Sequence, residues 1–278
     1  MIMSNKKKIL LLIAAVSVIV LVFCAAKLSI YSIRMYNDAL TNSKLKDMVG
    51  ESHVELSTDL ETGRPITVNN DNTYFKDAPS RAVLDKYKTL YNLNSDIVGW
   101  VSIDDTRIDY PVMQTVKDEQ YYLHRNFYKA DSTSGLPFMD DRCIISDTST
   151  NVIIYGHNMK NGTMFADLLK YQDKDFYEKH KYIRFDTIYE ESLYEIVAVF
   201  RSRVAFVDED TFRFYNFIES DTEEEFYEYY NTIRSLSFYD TDAKAISSDY
   251  LLTLSTCEYT EEDGRFVVVA RKIADGGE

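Results

Sequence analysis

Cys257 closes a strand-like run, Tyr250 to Cys257, and Arg265 opens a second, Arg265 to Ile273, across the polar loop Glu258-Tyr259-Thr260-Glu261-Glu262-Asp263-Gly264. Two such runs around a short polar loop predict an antiparallel hairpin, with Cys257 and Arg265 at the same end, flanking the loop mouth. Side chains alternate along a strand, so Leu251, Thr253, Ser255 and Cys257 share the more polar face. A guanidinium near a thiol favours the thiolate, the nucleophilic form, and can hold a developing oxyanion. A third group of the right type is His157, set just after the apolar run Asn151 to Tyr155 and Gly156. An imidazole there can serve as general acid or base.

Each residue also has an ordinary structural reading. Cys257 could be a small apolar group at a strand end, His157 a polar loop residue and Arg265 a charge guarding a strand edge. Arg271 shares a face with Arg265, and spacing alone leaves both open. Cys143 follows Asp140-Asp141-Arg142 among polar residues without a comparable setting, while Cys24 sits in an apolar stretch. His53, His124 and His180 read as structural or solvated. Three cysteines are too few and too odd in number for a disulfide scaffold, and no spacing calls for a metal or cofactor.

The elements that must position these groups can be read from periodicity. Ser80 to Asn94 places Val83, Tyr87, Leu90 and Tyr91 on one helical face, with Ser80 as cap. Ile97 to Ile103 and Arg107 to Met113 read as strands joined at Asp104-Asp105-Thr106, with Pro111 suited to an edge or strand end. Asn151 to Tyr155 is a buried strand that delivers His157. A helix starting near Thr163 turns Met164, Phe165, Leu168 and Leu169 inward, and Leu193 to Phe200 is a further strand. Thr222-Glu223-Glu224-Glu225 has capping-box spacing and starts a helix with Phe226, Tyr230 and Ile233 on one face.

Composition sets the class and the N-terminus sets the address. The chain has 278 residues, with 45 acidic against 31 basic side chains and a net charge of -14, the wrong sign for nucleic acid. Nine glycines and four prolines exclude collagen-like and linker-dominated chains, and 22 tyrosines with 15 phenylalanines favour strands. Lys6, Lys7 and Lys8 precede an apolar run from Ile9 to Ala26 broken only by Ser17, about the length of a membrane span once flanking residues are added. A cleaved signal peptide would need a better site than Phe23-Cys24-Ala25-Ala26-Lys27. The lysines keep the N-terminus cytoplasmic. The expected organisation is a cytoplasmic N-terminus over 1–8, an anchor over 9–30, a stalk and linker over 31–79 and an extracytoplasmic domain over 80–278.

Thr253-Leu254-Ser255-Thr256-Cys257 with Arg265-Phe266-Val267-Val268-Val269-Ala270, and Ile153-Ile154-Tyr155-Gly156-His157 upstream, resembles the sortases, Gram-positive cysteine transpeptidases. Gly99-Trp100, Ile108-Asp109-Tyr110-Pro111-Val112, Tyr121-Tyr122-Leu123, Phe138-Met139-Asp140, His157-Asn158-Met159 and Met164-Phe165 are similar, in order, to class B. The resemblance covers roughly Ser80 to Ile273. It implies a closed eight-stranded β-barrel with N-terminal helices and a helix, Glu219 to Leu236, before the cysteine strand.

The resemblance also implies roles: Cys257 as nucleophile, His157 as general acid and base, and Arg265 as oxyanion and substrate-positioning residue. Leu123, Tyr155, Ser255 and Glu258 match positions that line the peptide groove. The implied substrates are surface proteins with a C-terminal sorting signal of the Asn-Pro-x-Thr or Ser-Pro-x-Thr kind, transferred to an amine of a peptidoglycan precursor or a pilin. One departure stands out. Class B enzymes commonly carry Asp-Asn before x-x-Tyr-Leu, and here the run is Asp118-Glu119-Gln120-Tyr121-Tyr122-Leu123. Glu119 replaces that asparagine, and an ionised carboxylate only accepts hydrogen bonds, so a relaxed preference for the motif's first residue is expected. A catalytically silent peptide-binding barrel and a hydrolytic cysteine protease are the alternatives.

Overall fold

The computed structural model describes residues 5–49, 82–115, 118, 120–145, 149–204, 211–258 and 263–273. Helix α1 (Asn5–Met48) is followed by α2 (Asp85–Leu93) and strands β1 (Ile97–Ser102), β2 (Asp109–Met113), β3 (Phe138–Met139) and β4 (Asn151–Gly156). Then come α3 (Lys174–Lys179), β5 (Tyr182–Thr187), β6 (Leu193–Arg203), α4 (Glu223–Leu236), β7 (Leu251–Cys257) and β8 (Gly264–Lys272). The strands close into a barrel in the order β1-β2-β3-β4-β7-β8-β6-β5.

Two apolar layers hold β7 and β8. Leu252, Leu254, Val268 and Ala270 point into the barrel with Val101, Val112, Ile154 and Val199. Leu251, Val267 and Val269 point outward and pack under Phe226, Tyr229 and Ile233 of α4. Strands covered on both faces read as continuous apolar runs, which is why alternation is weak in Arg265 to Ala270. Thr222 caps α4, its hydroxyl accepting from Glu225 N at 3.2 Å, while the Glu225 carboxylate accepts from Asp221 N at 2.9 Å. The helix begins at Glu223 rather than at Glu219, because the Ser220 amide is engaged by the Thr150 hydroxyl ahead of β4.

Other boundaries also differ from the sequence reading. The helix expected from Thr163 is a 3-10 helix, Phe165–Gln172, followed by α3. Phe165 N donates to His157 O instead of entering a helical ladder, and Asp173 caps α3 by accepting from Asp175 N. Helix α2 starts at Asp85, since Leu84 is extended and its amide donates to Ile188 O; Ser80 lies outside the described residues. Strand β6 runs on to Arg203, and β3 and β5 are strands that periodicity does not predict.

The segment expected as a stalk has helical character from Leu28 to Val49 in the sequence, and the structure adds its contact with the barrel. Helix α1 continues without a break through residues 31–48 and docks on the barrel. Leu45 is fully buried with Leu90, Trp100 and Met113. Asp38 is buried and accepts from the Ser132 hydroxyl at 2.8 Å, and Lys46 pairs with Asp109. The N-terminal part of the same helix is exposed and apolar enough to cross a membrane, with a mean hydropathy of 3.2 in its most apolar window.

Candidate active site

Cys257 and Arg265 are directly opposed in the β7–β8 ladder, so their side chains share a face with Cβ atoms about 5 Å apart. On its other side β7 runs parallel to β4, with Tyr155 opposite Ser255 and Gly156 opposite Thr256. Parallel pairing puts the ends of both strands at one rim. His157 therefore leaves β4 at the level of Cys257, and the three groups line a single cleft of about 410 Å³. Arg271 sits at the far end of β8, where it pairs with Glu195 at 2.8 Å.

The rim is fastened by groups the sequence reading did not single out. Asn158 Nδ2 donates to the Cys257 carbonyl at 3.0 Å, and the Thr256 hydroxyl to the Gly156 carbonyl at 2.7 Å. These bonds tie the ends of β4 and β7 together. At Gly156 a Cβ would lie 2.7 Å from the Phe165 ring, so the strand end before His157 has no room for a side chain. The His-Asn pair in the sequence is the signal for Asn158; its partner, a main-chain carbonyl 99 residues away, is not legible there.

His157 is half-buried, and its Nε2 lies 2.9 Å from the Leu123 carbonyl. A carbonyl can only accept, so Nε2 carries hydrogen and Nδ1 is the nitrogen that gains and loses a proton. Burial lowers the His157 pKa below the ordinary imidazole value of 6.5, the Leu123 carbonyl opposes this, and His124 lowers it further. The rings of His124 and His157 are 5.7 Å apart. His124 is thus a neighbour of the site rather than a remote solvated residue.

Arg265 is fixed from behind, its Nη1 donating to the carbonyls of Asp263 and Gly264 at 3.3 and 3.0 Å. Of the expected groove residues, Leu123, Tyr155 and Ser255 line the cleft. The Ser255 hydroxyl is buried without a partner among the described residues. Glu258 is buried outside the lining, with its carboxylate 3.9 Å from Arg201 Nε. Glu119 lies outside the described residues.

The other thiols differ sharply. Cys143 is fully buried in the barrel core, not in a polar setting, with Sγ 3.6 Å from Asn151 O and 3.4 Å from Ile153 N. Burial pushes its pKa up to about 12, which keeps it a thiol. Cys24 is exposed on the apolar part of α1. Among the described residues no cluster of His, Cys, Asp and Glu could hold a metal ion.

The closed barrel thus brings a histidine, a cysteine and an arginine to one rim, and residues 101–273 match the sortase domain. The chain belongs to the sortase family and is a sortase-type transpeptidase. It is 39% identical to sortase B of Listeria monocytogenes over 209 residues, which is 72% of this chain and 80% of that protein. It is 33% identical to sortase B of Staphylococcus aureus over 192 residues, 68% of this chain and 75% of that protein. Among solved structures, sortase B of B. anthracis in complex with AAEK1 aligns with a TM-score of 0.67 at 28% identity, covering 87% of this chain and 98% of that one. The Staphylococcus aureus sortase B–substrate complex aligns with a TM-score of 0.62 at 31% identity, covering 70% and 87%. These relatives place the chain in class B.

Proposed function

We propose that this transpeptidase cleaves a C-terminal sorting motif of the Asn-Pro-x-Thr or Ser-Pro-x-Thr kind and transfers the protein to an amine of peptidoglycan or a pilin. Its N-terminus is cytoplasmic, α1 anchors it in the membrane, and residues 80–278 act outside. The observation that carries the reading is the meeting of Cys257, His157 and Arg265 in one cleft from two strand pairings.

The Cys257 thiol gives its proton to His157 Nδ1 and, as thiolate, attacks the threonine carbonyl, while Arg265 offers N–H groups to the oxyanion, compensating its charge. As the intermediate collapses, the C–N bond breaks and the imidazolium of His157 gives its Nδ1 proton to the leaving amine. The thioester then takes the incoming amine, whose proton passes back to Nδ1, and the thiolate leaves. Leu123, Tyr155 and Ser255 line the groove, the Ser255 hydroxyl, without a partner among the described residues, offering a hydrogen bond to the peptide. Glu258 supports the wall through Arg201, and Glu119 reads the motif's first residue.

Mass spectrometry of the protein incubated with sorting peptides tests the reading. An acyl adduct on Cys257 that disappears when a soluble amine is added, with a new amide formed, is the expected result. Absence of any adduct across Asn-led and Ser-led peptides would sink it, and adduct loss to water alone would favour the hydrolytic protease.

A further inference from the structure

The cleft has a second cation that the catalytic chemistry does not use. Arg142 follows β3 and lines the same cavity as Cys257 and Tyr155. Its guanidinium is held on two sides: Nε and Nη2 donate to the two Asp140 oxygens at 2.8 and 2.7 Å, and Nη2 donates to the Tyr215 carbonyl at 2.8 Å. Asp140 is fully buried and also accepts from the Tyr155 hydroxyl at 2.9 Å. The side chain of Arg142 remains 49% exposed, and its Nη1 donates to no atom of the described residues. A rigid fork with one edge satisfied and the other open to a cleft is a preorganised pair of donors.

Its place in the fold sets its reach. Phe138, Tyr155 and Ser255 stand opposite one another across β3, β4 and β7. Strands lie about 4.8 Å apart, so β3 is about 10 Å from the cysteine strand, the span of about three residues of extended peptide. The first residue of a four-residue motif lies three residue steps from the scissile threonine. We infer that Arg142 is a further specificity residue for that first position, beside Glu119, donating from Nη1 to a side-chain amide oxygen. The inference rests on the cleft being the sorting-peptide groove.

The buried Asp140 decides between an amide and an acid. It already neutralises Arg142, so the open edge presents donors without net positive charge, and a second carboxylate would be brought up against the first. An aspartate-led peptide is accordingly a poorer substrate than an asparagine-led one, and a leucine-led peptide leaves Nη1 unpaired.

The test uses the full chain in detergent micelles and compares kcat/KM for Asn-Pro-x-Thr, Asp-Pro-x-Thr and Leu-Pro-x-Thr peptides that are otherwise identical. Wild type should favour the Asn-led over the Leu-led peptide by about tenfold or more, with the Asp-led peptide below the Asn-led one. Arg142→Met should bring the Asn-to-Leu ratio close to one. That substitution strands a buried carboxylate, so Asp140→Asn/Arg142→Gln is measured beside it and should lose the preference too. An Asn-to-Leu ratio kept at its wild-type value while turnover persists overturns the role of Arg142 alone. Wild type that cleaves none of the three peptides overturns the transpeptidase reading, and this inference with it.

Discussion

The Leu123 carbonyl stands 2.9 Å from His157 Nε2, so the segment that walls the cleft also sets the tautomer of the imidazole. Nitrogen-15 NMR should find hydrogen on Nε2 and titration at Nδ1, with a midpoint below 6.5. His124→Gln removes a like charge and should move that midpoint upward. A lowered folded-state value means that the unfolded chain binds the proton first. This contribution is therefore fully present above the unfolded-state pKa, near 6.5, and is lost as pH falls through the folded value. A midpoint at or above 6.5, or hydrogen on Nδ1 in the neutral ring, contradicts the arrangement.

Cys257→Ala should abolish acyl-enzyme formation, while Cys143→Ala should keep turnover within a few-fold and cost about 1 kcal/mol of stability. A thiol reagent applied to the native protein should modify Cys257 and spare Cys143 until unfolding, read by peptide mapping. Modification of native Cys143 would be inconsistent with its burial.

Arg265 and Arg271 separate by position. Arg265→Ala should lower kcat by about 10² or more, the scale of one lost oxyanion donor. Arg271→Ala breaks the pair with Glu195 and should cost up to about 1 kcal/mol in denaturant titration with little change in kcat. The reverse pattern would mean that Arg265 does not serve the reaction.

Asn158→Ala removes the tie between the β4 end and the Cys257 carbonyl. Small displacements of a nucleophile are expensive, and kcat should fall by about tenfold with KM nearly unchanged. A pure KM effect would instead assign Asn158 to peptide binding.

Thr222→Ala is the structural control. It removes the cap of α4, whose apolar face covers Leu251 and Val267, and should cost about 1 kcal/mol while kcat/KM stays level. A large activity loss at unchanged stability would give α4 a role beyond packing.

Much of this site was legible because its key contacts are ladder neighbours. A hairpin with Cys257 and Arg265 at its mouth follows from alternation and a short polar loop. The approach of His157 follows only from the parallel β4–β7 pairing, a long-range contact that no local pattern encodes; the motif resemblance carried it instead. Arg142 was passed over because its meaning depends on the buried Asp140 and on a Tyr215 carbonyl far along the chain. Strand β3 escaped because two residues carry no period. Residues 31–48 read as a helical stalk because the buried stripe is thin, anchored by Leu45 and Asp38 with exposed and half-buried residues between.

That docked helix turns the tether into a mast. Asp38, where the barrel is gripped, lies eleven residue steps on from Lys27, which directly follows the apolar run. At about 1.5 Å per residue the barrel's first attachment stands about 16 Å beyond the apolar run. With that run in a bilayer, the cleft sweeps a shell of constant altitude, and rotation of the helix about its axis becomes its main freedom. Under the proposed anchoring, a peptide substrate would have to reach the cleft at that altitude.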